Sequence, residues 1–365
     1  MHPVHFAPLA QDGTARSGLA TTAHGAYRTP CFMPVGTRGA IKYLSAADYE
    51  SLGAEIVLGN TYHLMLRPGA DVVERFGGIA AFAGWKGLTL TDSGGFQIFS
   101  LEPRVDDEGV TFKSTYDGSS HRFTPELAVD VQQRLGATIQ MVLDVCPPLP
   151  STPEVVRTAL ERTSAWAARA RAHHTRSDQA LFGIVQGGIS PTMRRESAER
   201  TVALAFDGYG IGGLSVGETR DEMLPALAAA IEVLPHDRPR YLMGVGDPAS
   251  LVEAIALGVD QFDCVMQTRL GRHGTALTQI GRLNVKNAKF TLDDEPIDDH
   301  CPCDVCRRHS RGYLRHLFQV NEPTASRLVS IHNIAWTFDL MNRAREAIAA
   351  GRFDDLRRST LAVWG

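Results

Sequence analysis

The stretch LFGIVQ, residues 181–186, is apolar almost throughout and turns polar only at its last residue, Gln186. A strand that is covered on both faces has this pattern, because neither face meets water. Seven other short apolar runs alternate with helix-like stretches along the chain. They are residues 31–37, 55–60, 88–92, 139–144, 209–215, 240–246 and 261–266. The sequence therefore predicts eight parallel strands.

The connections between these runs carry signals for helix starts. Ser45 with Asp48, and Thr219 with Glu222, fit a capping box or its aspartate variant. In four further places a good N-cap residue precedes a proline that suits the first helical position. These are Thr124-Pro125, Thr152-Pro153, Ser190-Pro191 and Asp247-Pro248. Eight strand–helix units predict an α/β fold, a closed (β/α)8 TIM barrel, although strand count alone leaves an open doubly wound sheet as the alternative.

Several segments do not follow this alternation of strands and helices. Residues 1–30 are predicted to form a hairpin packed on the barrel. Residues 101–123 are predicted to form a second hairpin, inserted after the third strand, with Asp117-Gly118 at its turn. The barrel core then spans residues 31–266. Residues 267–332 are a long insertion after the eighth strand, and residues 333–365 are predicted to supply the C-terminal helix that completes the barrel.

Composition narrows the functional classes. Of 365 residues, 44% are hydrophobic and 21% are charged, which is typical of a globular protein and excludes a disordered chain. The formal net charge of −4 means that any nucleic-acid binding must be local. No apolar run is long enough for a membrane span, and the N-terminus lacks the pattern of a secretory signal. We therefore expect a cytoplasmic protein with no membrane partner.

Polar residues and glycines cluster at the carboxyl ends of the predicted strands, where barrel enzymes carry their chemistry. These ends are Asn60-Thr61, Asp92-Ser93-Gly94-Gly95, Asp144-Val145-Cys146, Gln186-Gly187-Gly188, Gly212-Gly213-Leu214 and Asp263. Helix capping alone does not need paired glycines beside the polar residues. Glycines let the backbone approach a flat ligand and offer it N–H and C=O groups. One site for a flat, polar ligand is therefore predicted at this rim.

Two kinds of chemistry suit this set of residues. Asp144, Gln186 and the Gly213 amide match the edge of a purine, because the carboxylate accepts from ring and exocyclic N–H groups while the other two donate to a ring carbonyl. Asp92 and Asp263 suit a substitution at a glycosidic carbon, in which one carboxylate attacks and the other moves the leaving group's proton. The residue types alone do not decide which of the two aspartates is the nucleophile and which moves the proton. A retaining glycoside hydrolase also fits a barrel, although the purine-edge set argues against it.

Three of the six cysteines, Cys301, Cys303 and Cys306, fall within the short stretch CPCDVC. A disulfide framework would spread its cysteines through a short secreted chain, so this cluster predicts a metal site. Zinc takes a fourth ligand in such sites. By proximity the candidates are His300, His309, His316 and His332.

These motifs, in this order, closely resemble those of the bacterial tRNA-guanine transglycosylases. The matching stretches, from about residue 15 to about residue 345, are FMPVGTRGAIK, LGNTYHL, TDSGGFQIFSL, FTPE, DVCPP, GIVQGG, GGLSVGE, YLMGVG, FDCVMQTRLGRHG, CPCDVC and His332. The resemblance implies a modified (β/α)8 barrel with a zinc-binding insertion near its C-terminus. It implies a pentosyltransferase that replaces guanine at the wobble position (34) of tRNAs with GUN anticodons. Bacterial members insert 7-aminomethyl-7-deazaguanine, a queuosine precursor.

The resemblance also implies roles for single residues. Asp263 matches the nucleophile that attacks C1′ of the ribose, and Asp92 matches the general acid and base. Phe96 is placed to stack on the base and Met243 to cover its opposite face. The full set of implied base-binding residues is Ser93, Gly94, Gly95, Phe96, Asp144, Gln186, Gly213 and Met243. The family pattern selects His332 as the fourth ligand of one structural Zn2+ per chain.

RNA binding is expected to be confined to a few segments. The resemblance assigns it to Gly244, Val245, Gly246, Asp247, Pro248, Ala249, Ser250, Thr268, Arg269, Leu270, Gly271 and Arg272. Residues 267–290 and 307–315 hold basic residues and no acid, so they predict a basic face for phosphates beside the cysteine cluster. Residues 267–332 are accordingly interpreted as an RNA-reading loop and a zinc subdomain. The resemblance also implies a homodimer, with the zinc region near its interface.

One departure from the family pattern is Gln267, where the family usually has proline. Glutamine frees a backbone N–H and loosens φ, which leaves the conformation of the RNA-reading loop open.

A queuine-using enzyme of the eukaryotic type would have glycine in place of Val216, and Cys146 is the bacterial choice, so the precursor is favoured. An archaeosine-type enzyme usually carries extra C-terminal domains, whereas this chain stops at Gly365. A non-catalytic partner subunit would lack the two catalytic aspartates.

Overall fold

Sixteen strands run through residues 3–365, the part of the chain that the computed structural model describes. In chain order they are β1 (Val4–Asp12), β2 (Ala15–Thr22), β3 (Gly25–Thr29), β4 (Cys31–Gly36), β5 (Ile56–Asn60), β6 (Leu88–Asp92), β7 (Arg104–Asp106), β8 (Gly109–Lys113), β9 (Ser120–Phe123), β10 (Ile139–Met141), β11 (Ala180–Val185), β12 (Gly208–Ile211), β13 (Arg240–Leu242), β14 (Gln261–Cys264), β15 (Thr275–Thr278) and β16 (Gly281–Asn284).

Eight of these strands close into a parallel barrel. Its order is β4, β5, β6, β10, β11, β12, β13 and β14, and β14 pairs back onto β4. At this closure Phe262 lies opposite Phe32 and Asp263 opposite Met33. The predicted (β/α)8 barrel is therefore confirmed, and the open-sheet alternative is wrong. Each of the eight predicted runs overlaps a barrel strand, although β11 and β12 begin one residue earlier than predicted and several strands end before their run does.

Fifteen α-helices and one 3-10 turn accompany the strands within residues 3–365. They are α1 (Ala46–Ser51), α2 (Thr61–Leu66), α3 (Ala70–Arg75), α4 (Ile79–Ala83), α5 (Gly95–Phe99), α6 (Pro125–Leu135), α7 (Pro153–His173), α8 (Pro191–Val202), α9 (Arg220–Ile231), α10 (Pro248–Ala256), α11 (Met266–Arg272), the 3-10 turn (Ala288–Phe290), α12 (Asp304–Arg308), α13 (Arg311–Gln319), α14 (Pro323–Ala349) and α15 (Phe353–Trp364).

The predicted helix starts follow from their capping chemistry. The side chains of Thr124, Thr152, Ser190 and Asp247 each accept a hydrogen bond from the backbone of the first turn that follows, and a proline opens each helix. Both capping boxes form as well, at the starts of α1 and α9. Because these caps satisfy backbone N–H groups that have no helical partner, they fix where each helix leaves the barrel rim.

Both predicted hairpins are three-stranded sheets instead. β3 adds to the pair β1–β2, and β7 adds to the pair β8–β9, in each case antiparallel. A lone two-stranded hairpin is marginally stable in water, and a third strand gives each sheet a face that can pack on the barrel. The predicted turn at Asp117-Gly118 lies between β8 and β9, and Gly118 has φ +73° there.

The C-terminal part of the chain differs more from the predicted domain organisation. The boundary predicted between residues 332 and 333 falls inside α14, which runs unbroken for 27 residues, and α15 follows it. The helix continues through this point because it packs against both the barrel and the cysteine-rich segment, so neither side offers a reason to end it. Neither α14 nor any other helix between residues 3 and 365 is apolar enough over a sufficient length to cross a membrane.

The amino end of the barrel is closed by a buried ion pair. Arg16, on β2, donates to both carboxylate oxygens of Asp260, at 2.9 and 2.5 Å, and both side chains are buried. Asp260 directly precedes β14, so this pair joins the N-terminal sheet to the barrel. The carboxyl end of the barrel is the end left open for a ligand.

Candidate active site

A cavity of about 470 Å³ opens at the carboxyl end of the barrel. This volume is within the range of sites that hold one small ligand. The lining residues that the sequence had already marked are Asn60, Asp92, Ser93, Gly95, Phe96, Asp144, Cys146, Gly212, Gly213, Leu214, Val216, Met243, Gly244, Gly246, Asp247, Asp263, Cys264 and Arg269. The polar ends of separate strands thus share one cavity.

Asp263 lies near the end of β14, and two donors hold one of its carboxylate oxygens. The Tyr241 hydroxyl donates to Oδ1 at 2.5 Å, and the Gly244 N–H donates to the same atom at 2.7 Å. This arrangement leaves Oδ2 available to a ligand. Burial raises the pKa of Asp263, and the two hydrogen bonds partly offset that rise. Tyr241 was missed at the sequence level, because a tyrosine within an apolar strand is typical of a core residue.

Asp92 ends β6 and is held on both oxygens by the neighbouring β5 and its own loop. Asn60 donates to Oδ2 at 2.6 Å. The backbone N–H groups of Thr61 and Gly94 donate to Oδ1 at 3.0 and 3.1 Å. Burial raises the pKa of Asp92 to about 7, and the charge of Asp263 also raises it, while these hydrogen bonds lower it. A carboxyl with a pKa near neutrality can both give and take a proton at physiological pH.

Asp144 and Gln186 form the polar wall of the cavity. Gln186 Nε2 donates to Asp144 Oδ2 at 2.6 Å, and burial raises the pKa of Asp144 to about 6. Gln186 Oε1 is buried and has no partner among the described residues. Gly213 lies against this amide with φ +63°, and a Cβ there would come within 2.2 Å of Gln186 Oε1. Only glycine fits at this position, so the backbone reaches the cavity directly.

The segment after β6 brings further predicted residues to the same place. Gly94 has φ +79° and packs on the Tyr62 backbone, where a Cβ would approach to 2.8 Å. Gly95 packs on Asp144, and its N–H donates to Ser93 Oγ at 3.2 Å. Phe96, at the cavity rim, is 60% exposed, which is unusual for a large aromatic side chain. Gly94 and Gln186 are the two predicted base-binding residues that do not line the cavity; they act on it through Asp92 and Asp144.

The residues predicted to bind RNA fall into three groups. Gly244, Gly246, Asp247 and Arg269 line the cavity. Six others are buried in the fold: Val245, Pro248, Ala249, Ser250, Thr268 and Gly271. Leu270 and Arg272 are half-buried, and Arg272 Nε donates to the Thr268 carbonyl at 3.2 Å. Most of these residues therefore support the cavity rim from within the fold. Arg269 is the basic side chain that lines the cavity.

Gln267 is the residue that replaces the family's proline, and it lies in the first turn of α11 rather than in a loop. Its side chain is buried, and Nε2 donates to the Gly246 carbonyl at 2.9 Å. Its own carbonyl accepts from Asn333 Nδ2 at 2.9 Å. The segment expected to be loosened by glutamine is thus held to both the 244–246 segment and α14.

The four predicted metal ligands come together. The ligand atoms of Cys301, Cys303, Cys306 and His332 all lie within 4.8 Å of one another. His332 Nδ1 is 3.2 Å from Cys306 Sγ and 3.6 Å from Cys303 Sγ. His332 Nε2 donates to the Leu277 carbonyl at 2.8 Å, which fixes the ring and leaves the Nδ1 lone pair for a metal. Three thiols and an imidazole form a metal site, and of the four candidate histidines it takes His332.

The residue after His332 contacts α11 and β15 rather than the cysteines. Asn333 is buried, and its amide group donates to the carbonyls of Gln267 and Thr275, at 2.9 and 3.0 Å. Its oxygen accepts from the Leu277 N–H at 2.9 Å. Two consecutive residues of α14 thus connect the metal site and α11, and sequence reasoning gave no sign of Asn333.

Comparison with known proteins agrees with this geometry. The family model described as queuine tRNA-ribosyltransferase matches residues 11–365, nearly the whole chain. The chain belongs to the queuine tRNA-ribosyltransferase family. Membership confirms the predicted family and the predicted class of enzyme, a pentosyltransferase.

Curated members of the queuine tRNA-ribosyltransferase family are similar over most of their length. A member from Herpetosiphon aurantiacus is 52% identical over 344 residues, which cover 94% of this chain and 88% of that protein. One from Desulforudis audaxviator is 51% identical over 363 residues, 98% of each chain. One from Thermus thermophilus is 49% identical over 360 residues, 98% of this chain and 94% of that protein. All three proteins are named queuine tRNA-ribosyltransferase.

Proposed function

We propose that this protein exchanges guanine at the wobble position (34) of tRNAs with GUN anticodons for 7-aminomethyl-7-deazaguanine. The observation that carries the proposal is that Asp92 and Asp263 share one cavity with a purine-matching edge, Asp144 and Gly213. The two carboxylates suit substitution at a sugar carbon, and the edge suits a guanine-like base. Family membership supplies the tRNA as the carrier of that base.

The first displacement uses Asp263 as the nucleophile. Its Oδ2 attacks C1′ of the ribose as the bond from C1′ to guanine N9 breaks, and the bonding pair leaves with the base. Asp92, whose pKa of about 7 leaves a large share of it protonated at neutral pH, gives its proton to the departing guanine. Tyr241 and the Gly244 N–H hold Oδ1, so the nucleophile is oriented before the tRNA arrives.

The second displacement reverses the roles. Asp92, now charged, takes a proton from the incoming base, whose nitrogen attacks C1′ and releases Asp263. Each displacement inverts C1′, so the product has the same stereochemistry as the starting tRNA. The covalent intermediate also explains how one cavity serves both bases, since guanine leaves before the second base enters. Ping-pong kinetics are the expected signature.

Base recognition is assigned to the polar wall. Asp144, held by the Gln186 amide, accepts from the ring N–H and the exocyclic amine of the base, while the Gly213 N–H donates to its ring carbonyl. Guanine and its 7-deaza analogue share this edge, so both bind. Phe96 stacks on one face of the base and Met243 covers the other.

The preference for the precursor over queuine rests on Val216 and Cys146, which both line the cavity. The cyclopentenediol of queuine needs space that these side chains occupy. Cys146 acts as a wall of the cavity rather than a nucleophile, because burial raises the pKa of its thiol to about 12 and keeps it neutral. A glycine at the Val216 position would open that space.

The target base must leave its stack before Asp263 can reach C1′. Arg269 at the cavity rim is the best-placed side chain to bind the neighbouring phosphates or bases. The basic face proposed beside the cysteine cluster is weaker, since Arg307 pairs with Asp304 and Arg311 with Asp293. RNA contacts are therefore centred on the cavity mouth.

The metal proposed for the four-ligand site is Zn2+, one per chain. Three thiolates and one imidazole complete the tetrahedral shell that zinc prefers, with no position left for substrate, so the role is structural. When bound, the ion would cross-link α12 and the residues just before it to α14, through Cys301, Cys303, Cys306 and His332. We also propose, from the resemblance, a homodimer with this region near its interface and a location in the cytoplasm.

The direct test is incorporation of radiolabelled guanine into an unmodified tRNA with a GUN anticodon. A second reaction compares 7-aminomethyl-7-deazaguanine and queuine as displacing bases. Exchange with preference for the precursor supports the whole proposal. Exchange with preference for queuine keeps the reaction and overturns the role of Val216 and Cys146. Folded, metal-loaded protein that catalyses no exchange would favour a binding-only subunit.

A further inference from the structure

Helix α8 buries a polar face against the barrel. Its buried residues are Arg194, Ser197, Ala198 and Thr201, whereas a helix of this kind normally buries an apolar stripe. Ser197 Oγ accepts from the Gln186 N–H at 3.0 Å, so this face contacts the backbone behind the cavity wall. Arg194 is completely buried. Burying a cation is costly, and it persists only where its hydrogen bonds are satisfied.

All four hydrogen bonds of the Arg194 guanidinium go to backbone carbonyls. Nε donates to Gly188 at 2.7 Å, and Nη1 donates to Val185 at 3.0 Å. Nη1 also donates to Gly212 at 2.6 Å, and Nη2 donates to Gly213 at 2.9 Å. Cys146 and Glu218 act on this cation only through longer-range charge interaction. Arg194 therefore joins the loop after β11 to the loop after β12.

The two carbonyls on the β12 loop belong to peptide groups that line the cavity. The Gly212 carbonyl shares a peptide unit with the Gly213 N–H, and the Gly213 carbonyl shares one with the Leu214 N–H. In a trans peptide the C=O and N–H point in opposite directions, so both N–H groups point away from Arg194. Neither N–H donates to an acceptor within residues 3–365. All three residues line the cavity.

We propose that Arg194 is a positioning residue for base recognition, which fixes and polarises the Gly213 and Leu214 N–H groups as donors to the ring carbonyl of the bound base. This inference rests on the proposed function. When the base leaves with the bonding pair, negative charge spreads onto that carbonyl oxygen. Donors already oriented, and backed by a buried cation, stabilise such charge without rearranging. The flat fork of a guanidinium suits this task, because it reaches several carbonyls at once.

The test compares Arg194→Lys with Arg240→Lys. Lysine keeps the charge but cannot span carbonyls on two loops. Arg240 is a matched control, since it is also buried and donates to backbone carbonyls, at Leu234 and Gly258, but begins β13 at the opposite end of the barrel. Calorimetry measures the Kd for guanine and for 2-aminopurine, which lacks the ring carbonyl. Thermal melting of each variant records the loss of stability.

Arg194→Lys is expected to weaken guanine binding about tenfold, the loss of one good hydrogen bond, and to raise KM for the incoming base. Binding of 2-aminopurine and KM for tRNA should change less than about twofold. Arg240→Lys should lower the melting temperature and leave guanine binding unchanged. Equal losses for guanine and 2-aminopurine, or equal losses in both variants, would show a merely structural role and overturn the inference.

The same experiment separates this inference from the proposed function. If the unmodified protein exchanges guanine into tRNA but Arg194→Lys binds guanine normally, only the role of Arg194 is wrong. If the unmodified protein neither binds guanine nor exchanges it, the proposed function is wrong and the inference falls with it.

Discussion

Asn60 and Asp92 face each other at the ends of the paired strands β5 and β6, and the Asn60 amide donates to Asp92 Oδ2 at 2.6 Å. Asn60 Oδ1 accepts from the His63 N–H at the start of α2, so the amide is fixed in this orientation. A donor to a carboxylate favours its charged form. Asn60 therefore keeps the pKa of Asp92 lower than burial alone would set it.

The pH dependence of exchange should show this effect. The first displacement needs Asp263 charged and Asp92 protonated, so kcat/KM rises with pH as Asp263 ionises and falls as Asp92 loses its proton, near pH 7. Asn60→Ala raises the pKa of Asp92, and the alkaline limb should move to higher pH while the acid limb stays in place. A profile of guanine exchange measures both limbs. If the alkaline limb of the profile stays at the same pH or moves to lower pH in Asn60→Ala, the role of Asn60 is contradicted.

Replacing each of the two aspartates should impair a different step of the reaction. Asp263→Ala removes the nucleophile, so both exchange and the covalent complex with tRNA, seen on a denaturing gel, should disappear. Asp92→Ala removes the proton carrier, so turnover should fall by about 10²–10⁴-fold while tRNA binding changes little. Normal exchange in either variant would show that its aspartate has been given the wrong role.

Gly213→Ala should abolish base binding without unfolding the chain. Alanine at φ +63° costs about 1–2 kcal/mol, and its Cβ would press on Gln186. Gly84→Ala is the matched control, since Gly84 has φ +66° and open space around it, outside the cavity. Gly213→Ala should lose at least as much stability as Gly84→Ala on chemical denaturation, and only Gly213→Ala should lose guanine affinity. Equal affinities would mean that the cavity tolerates a side chain there.

Gln267→Met should reduce catalysis more than stability. It removes the bond to the Gly246 carbonyl but also a buried Oε1 that has no partner in the described chain, so the free energy of unfolding should fall by about 1 kcal/mol or less. Gly246 lies two residues from Gly244, whose N–H holds Asp263, so kcat should fall several-fold. Exchange at the unmodified rate would refute this connection.

Metal content should depend on one histidine. His332→Ala is expected to lose the ion and to lower the melting temperature, whereas His316→Ala, an exposed neighbour, should keep one ion per chain. Elemental analysis and thermal melting measure both effects and identify the metal. A full complement of metal in His332→Ala, or zinc well below one per chain in the unmodified protein, would contradict the assignment.

The barrel could be predicted from the sequence because its strands are buried on both faces. Runs such as 139–144 and 181–186 have to be apolar, and the polar residue that ends each run marks the rim. The caps at Thr124 and Ser190 were visible because side-chain capping is local chemistry. His332 required the family resemblance, since it lies 26 residues beyond Cys306 and the three other candidate histidines are nearer in sequence.

The residues that hold the active-site groups in place could not be predicted, because their partners are mostly atoms distant in sequence. Arg194 lies in PTMRRESAERTV, a stretch that is typical of an exposed helix. Its burial follows only from carbonyls on two barrel loops. Tyr241, Gln267 and Asn333 are similar cases, since each is an ordinary residue type whose importance comes from the group that it contacts.

His332 and Asn333 occupy successive positions on α14, one at the metal site and the other bonded to Gln267 of α11. Because the two residues are adjacent on one helix, an ion held at His332 would also steady Asn333 and, through Gln267, the helix that carries Arg269. If that support is needed for exchange, a batch purified with incomplete metal would be a mixture of competent and incompetent molecules. Its turnover per mole of polypeptide will understate the rate of the competent fraction, and rates from different preparations become comparable only when divided by bound metal.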